Sequence, residues 1–229
     1  VTTQAVAGDY VHQVNTLIGT KGTGLTSGYL YPGATYPYGM VQFTPSYFSK
    51  RSGFVINQLS GGGCEHMGNF PTFPVKGKLK MSPDNILNYR INVSEEKGHA
   101  GYYEAMVQED IKAKLTVTER TGMASYEYPA DQQYGTIIIG GGISATPIEQ
   151  AAIVITAPNK CEGYAEGGNF CGLRTPYKVY FVAEFDTDAF ETGTWKREEL
   201  MPNTTFAEGE YSGVYFTFDV NKKKNIQYK

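Results

Sequence analysis

From Met40 to Val220 the chain returns again and again to short apolar–polar alternation, and nowhere does it offer an amphipathic stretch of three helical turns. Period-two patterning puts alternate side chains on opposite faces of a pleated strand, so each such run asks for a sheet with one face buried. The runs are Met40–Pro45, Phe54–Leu59, Val75–Met81, Gly101–Gln108, Ile111–Thr118, Gly122–Tyr128, Thr136–Ile139, Gln150–Thr156, Tyr177–Phe185 and Gly213–Val220. Glu109 and Asp110 join two of them as a hairpin, and Lys76, Lys78 and Lys80 share one face of another. Lys196–Leu200 has room for one helical turn before Pro202, and Tyr10–Thr20 reads as a first strand or a short helix. Many short strands with few or no helices specify an all-β fold, a two-sheet antiparallel β-sandwich or a barrel.

A chain of 229 residues suits a single sandwich domain. Its 18 tyrosines and 12 phenylalanines favour strands, because aromatic rings fit half-buried pleated surfaces. The formal charge of -3 comes with no basic stripe, which leaves nucleic acid without an electrostatic footing. No apolar run approaches the roughly 20 residues of a transmembrane helix. The amino end, VTTQAVAGDY, lacks a signal-peptide core and fits a mature or trimmed exported chain. At the other end IQYK begins like a further strand, as if a larger protein were divided there at a domain border.

Two irregular stretches interrupt the strands, Gly19–Gly39 and Asn57–Pro74. The second reads NQLSGGGCEHMGNFPTFP, and its glycines and prolines deny it either regular period. Long irregular loops inside compact domains are usually functional or disordered. Met67, Phe70 and Phe73 favour order, because they call for burial. Gly61, Gly62 and Gly63 permit close approach of backbone to a ligand or a neighbouring segment. Together the two stretches carry Lys21, Tyr29, Tyr31, Tyr36, Tyr38, Asn57, Gln58 and Asn69. Rings that stack on sugar C–H faces and amides that pair with hydroxyls suit carbohydrate, although rings packed beneath long loops would account for most of the tyrosines equally well.

Catalytic machinery does not assemble from these residues. Glycosidases need two carboxyls about 5–10 Å apart. Glu184 and Asp186 share a strand face, as solvated pairs commonly do. Asp186-Thr187-Asp188 resembles the start of a calcium loop but lacks the rest of an EF-hand. Cys64, Glu65 and His66 are consecutive, so their side chains diverge and form no nucleophile–base–acid set. GTKGTG is followed by neither a Lys-Ser/Thr pair nor a helix, which removes the phosphate-loop reading. His99 falls in a polar turn before a strand. No cysteine or histidine spacing suggests zinc. Three cysteines allow at most one internal bridge, and Cys161 and Cys171, which flank a glycine-rich segment, are the expected pair.

VNTLIGTKGTG, YPGATYPYGMVQFTP and GFVINQLSGGGCEHMGNFPTFP, followed by EEKGHAGYYEAMVQEDIKAKLTVTERTGMASYEYP, occur in the order found in the amino-terminal domain of glycoside hydrolase family 92. The resemblance runs from about Val14 to at least Pro129. It implies a galactose-mutarotase-like super-sandwich ahead of a larger (α/α)6 helical domain. It further implies an exo-acting, inverting, calcium-dependent α-mannosidase, exported to the periplasm, the outer membrane or the medium. General acid, base carboxylates and calcium ligands would belong to the helical domain, leaving no catalytic residue, metal or cofactor in this one. By position, Gly19, Thr20, Lys21 and Gly22, with Asn57, Gln58, Cys64, Glu65, His66 and Asn69, would line part of the substrate pocket and the interdomain surface. The partners implied are α-mannoside glycans and the helical domain of the same protein. Ile56, Asn57 and Gln58 stand where histidines are frequent in the family, which bears on linkage preference. A freestanding carbohydrate-binding module and a structural surface protein are the competing readings.

Overall fold

The computed structural model describes residues 10, 13–20, 30–46, 53–59, 66–84 and 92–229. These residues build three antiparallel sheets. The largest has eight strands. Its order is β1 (Ala34–Thr35), β2 (Gln42–Pro45), β3 (Phe54–Val55), β4 (Thr72–Lys76), β9 (Tyr134–Gly140), β16 (Ser212–Asp219), β13 (Glu191–Lys196) and β14 (Glu199–Pro202). A five-stranded sheet runs β17 (Asn225–Tyr228), β8 (Gly122–Glu127), β7 (Ile111–Val117), β6 (Tyr102–Val107) and β5 (Val93–His99). A four-stranded sheet runs β12 (Tyr177–Glu184), β11 (Lys160–Gly167), β10 (Ile148–Ala157) and β15 (Phe206–Glu208).

Both smaller sheets cover the same face of the large one, which makes a two-layer β-sandwich. Register shows why: Thr72 pairs with Ile139 and Ile139 with Val214, so these side chains and Phe216 point one way. Phe185, just past β12, packs on Phe216, Phe218 and Tyr228 at ring-centroid distances of 4.7, 5.1 and 5.3 Å. Phe54 of β3 stacks on Tyr126 of β8 at 6.0 Å. Burying aromatic side chains of this size stabilises by about 1.5–3 kcal/mol each, before the ordering cost is subtracted. Almost all of β16 is buried on both faces. On its other side Lys78 pairs with Glu191, and the Ser82 hydroxyl donates to the Arg197 carbonyl, so the chain after β4 crosses over β16 to run along β13. Among the described residues no helix is long and apolar enough to cross a membrane.

Several elements differ from the sequence reading. β4 ends at Lys76 because Gly77 adopts φ 75°, so the alternation of Val75–Met81 does not continue as a strand. Lys196–Leu200 is a hairpin turn between β13 and β14, opened by Arg197 at φ 51°. Residues 16–19 form a turn rather than a strand or helix. His99 lies within β5, opposite and stacked on Tyr102. The hairpin of β6 and β7 is present, closed over Gln108–Asp110 with Gln108 and Glu109 in the left-handed region.

Candidate functional site

The loop between β3 and β4 is shaped by its own side chains. Asn57 Oδ1 accepts the backbone N–H of Asn69 at 2.8 Å, and Asn57 Nδ2 donates to Asn69 Oδ1 at 3.1 Å. This reciprocal pair holds the outgoing and returning limbs together. The return is tight: Met67, Gly68 and Phe70 have φ of 57°, 74° and 52°. Glycine adopts that region freely, whereas Met and Phe are strained there. The strain is held in place from outside, by Phe70 against Phe181 at 4.0 Å and by Ala145 N–H donating to the Met67 carbonyl at 2.7 Å. Backbone forced into such regions clusters at ligand-contacting sites.

His66 ties this loop to a segment a hundred residues away. Its Nδ1 donates to the Asn169 carbonyl at 3.0 Å, which leaves Nε2 of the neutral ring as an acceptor. Phe170 and Tyr177 meet the imidazole edge-on at centroid distances of 5.0 and 5.6 Å. The distant segment is itself a closed turn: Phe170 and Leu173 exchange backbone bonds at 2.8 Å, and Gly172 N–H donates to Asn169 Oδ1 at 3.1 Å.

At this corner several polar groups are buried without a partner. Gln58 is 1% exposed, and neither its Oε1 nor its Nε2 is hydrogen-bonded. Asn69 Nδ2 and the Tyr177 hydroxyl are in the same position. A methyl group at Gly68 would sit 3.6 Å from Gln58 Cδ, so this glycine packs directly beside the amide. Each unsatisfied buried polar group costs about 1–3 kcal/mol. Most buried polar atoms in native proteins are paired, so a cluster of exceptions calls for an explanation.

Of the residues singled out in the sequence, the structure brings Asn57, Gln58, His66 and Asn69 together. Gly19 and Thr20 lie in a separate turn, where Gly19 has φ 79° and the Thr20 hydroxyl donates to Leu17 O at 2.7 Å. Lys21, Gly22, Cys64 and Glu65 lie outside the described residues, as do Gly61–Gly63. Asn169, Phe170 and Tyr177 were not legible as site residues; the only hint was the glycine-rich run around them. The expected Cys161–Cys171 bridge does not form. Cys161 is a free thiol on β11, wholly buried, with burial pushing its pKa far up, while Cys171 is in a disulfide. Cys161 points into the sandwich while Cys171 sits on the outer turn, at φ 51°. Asp186 is occupied structurally, paired with Lys223 at 2.8 Å and accepting the Gln227 N–H. Among the described residues no group of three or more His, Cys, Asp or Glu is placed to hold a metal ion.

Comparison with known proteins gives this corner a context. The model of the glycosyl hydrolase family 92 N-terminal domain matches residues 13–229. A secreted glycosidase of Arthroderma benhamiae, itself uncharacterized, is 30% identical over 142 residues, covering 53% of this chain and 18% of that protein. Among solved structures, the family 92 glycosyl hydrolase ccman5 superposes with a TM-score of 0.80 at 22% identity, over 96% of this chain and 32% of its own. The family 92 α-mannosidase BT3965 of Bacteroides thetaiotaomicron gives 0.78 at 24% identity over 95% and 32%. The inverting mannosidase BT2199 of the same organism gives 0.75 at 23% over 98% and 31%. At these identities the structural likeness speaks for the fold, and the chain spans about a third of the length of those solved relatives. The family match over residues 13–229 carries the assignment: the chain belongs to glycosyl hydrolase family 92, as the N-terminal domain of such an enzyme.

Proposed function

We propose that this domain forms one wall of the substrate pocket of an exported, exo-acting, inverting α-mannosidase whose catalytic carboxylates and calcium ion reside in a larger helical domain. The observation that carries the reading is the buried Gln58 amide, unpaired at both ends beside Asn69 Nδ2. Gln58 is sealed from solvent in this domain, so the reading requires the loop to expose the amide to substrate, whose hydroxyls both donate and accept, while the strained Met67–Phe70 backbone holds the donors in place. His66, with Nε2 left as an acceptor, and the pinned Asn57–Asn69 pair complete the described part of the wall. Gly19, Thr20, Lys21, Gly22, Cys64 and Glu65 belong to the same proposal by their position in the family pattern. BT3965 and BT2199 are mannosidases, which favours an α-mannoside as the ligand.

The test compares this chain with the longer gene product. The isolated domain hydrolyses no α-mannoside, whereas the longer protein does so and loses activity to a chelator. In the longer protein, His66→Ala and Glu65→Gln change KM or linkage preference. Turnover by the isolated chain overturns the proposal. Saturable mannobiose binding by the isolated chain would favour the binding-module reading instead.

A further inference from the structure

Among the described residues the edge of β12 is unpaired along most of its length, and it borders an apolar groove. β12 pairs with β11 on one side, and among the described residues no strand pairs with its other side. At its end, however, the chain's last strand has begun to do so. Glu184 N–H donates to Lys229 O at 2.9 Å, Lys229 N–H donates back to Glu184 O at 3.1 Å, and Phe185 faces Tyr228 across the same ladder. This is antiparallel register, so backbone groups alternate sides along β12. Glu184 faces Lys229 and Phe185 N–H turns the other way, to Asn159 O. By that alternation the N–H and C=O groups of Val182 and Tyr180 point outward along the open edge.

Beside this edge lies a cavity of about 310 Å³, lined by Phe43, Phe70, Ile139, Phe181 and Ala183, with Gly122 on the far side. Directly opposed residues of a ladder share a face. Phe185 and Tyr228 are such a pair, and both point into the sandwich. A strand continuing that register would turn the side chains opposite Ala183 and Phe181 into the cavity. β17 also pairs with β8, Tyr228 opposite Ala124, so the same continuation would meet Gly122.

We infer that this open edge and groove seat an extended strand from the remainder of a family 92 enzyme, running on in register from Lys229 with apolar residues at alternate positions. It would pair with β12 along Val182 and Tyr180, fill the groove, and join the two smaller sheets into one layer. The inference rests on the reading that this chain is the first domain of a longer enzyme, and it names the surface through which the rest of that enzyme is attached. Unpaired edges of this kind are otherwise an aggregation hazard. Adding a strand to a sheet edge is a recurrent way of fastening one segment to another.

Amide hydrogen exchange of the isolated chain and of the longer, catalytically active polypeptide tests it. The Val182 and Tyr180 amides exchange freely in the isolated chain and slow by about 100-fold or more in the longer protein. Phe181 and Ala183, turned toward β11, are protected in both. Val182→Pro removes one outward N–H from an exposed edge position. It leaves the melting temperature of the isolated chain unchanged and lowers that of the longer protein by several degrees. If an active longer enzyme exchanges Val182 and Tyr180 as fast as the isolated chain, the inference is overturned while the mannosidase reading stands. Equal melting of the longer protein with and without Val182→Pro overturns it as well. A longer protein without mannosidase activity counts against the functional reading alone.

Discussion

The Tyr228 hydroxyl donates to Thr72 Oγ1 at 2.6 Å, across the buried space between the last strand and the strand that closes the site loop. Tyr126 completes the group, 3.1 Å from Thr72 Oγ1 and 3.3 Å from the Tyr228 hydroxyl. Three hydroxyls thus satisfy one another inside an apolar layer, and Thr72 lies two residues past the strained Phe70. The network fixes the base of the site loop and the register of β17 together.

Removing its centre should cost more than trimming its rim. Thr72→Val keeps the shape but leaves both tyrosine hydroxyls short of a partner, an expected loss of about 2–3 kcal/mol. Tyr228→Phe removes one donor and leaves Thr72 with Tyr126, so about 1 kcal/mol is expected. Urea denaturation of both variants checks the order; an equal loss would mean that the hydroxyls act independently.

The same tyrosines make the fold sensitive to alkali. Burial pushes the Tyr126 phenol up to about 12, against the smaller lowering effect of its bonds to Thr72 and Tyr228. Tyr128 and Tyr228 are raised well above the usual value, also chiefly by burial. A folded pKa above the unfolded one means that the unfolded chain loses its protons first as pH rises. Stability from these groups is therefore intact below about pH 10 and is lost between there and the folded values. With three such phenols the slope approaches about 4 kcal/mol per pH unit. Denaturation midpoints at pH 8, 9, 10 and 11 should be flat at first and then fall steeply; a flat profile to pH 11 would contradict the buried assignment.

The two described cysteines should separate chemically. Cys161 is buried and its thiolate is strongly disfavoured, so iodoacetamide leaves it unmodified in the native chain. After unfolding without reductant, peptide mapping should find Cys161 alkylated and Cys171 protected until a reductant is added. Native labelling of Cys161 would show that β11 opens readily.

How much of this was legible follows from what each residue depends on. Strands with clean alternation, such as Gly101–Gln108 and Ile111–Thr118, appear where patterning places them, since burial of one face decides them locally. β11 escaped notice because KCEGYAEG has small and charged residues with no apolar period, and its place comes from pairing with β10 and β12. The β13–β14 hairpin was mistaken for a helical turn because Lys-Arg-Glu-Glu favours helix, while the ladder with β16 overrides that preference. At the site, Asn57, Gln58, His66 and Asn69 could be picked out because they crowd one glycine-rich loop. Asn169 and Tyr177 could not, because contact across a hundred residues is made by the sheets and leaves no local mark. The Cys161–Cys171 expectation failed for a related reason: nearness in sequence placed no constraint on which side of the four-stranded sheet each thiol would take.

Gln58 offers the sharpest trial of the site, because the proposal requires stability and activity to move in opposite directions. Its amide is buried with no partner at either atom, so the folded domain carries the desolvation cost without compensation. Gln58→Met keeps the length and removes the polar atoms. In the isolated domain it should raise stability by about 1 kcal/mol, seen as a later urea midpoint. In the longer enzyme the same change should lower kcat/KM for an α-mannoside by about 5- to 100-fold, the equivalent of one or two lost buried hydrogen bonds. A stability loss in the isolated domain would show that the amide serves the fold. Unchanged kinetics in the longer enzyme would show that no substrate reaches it.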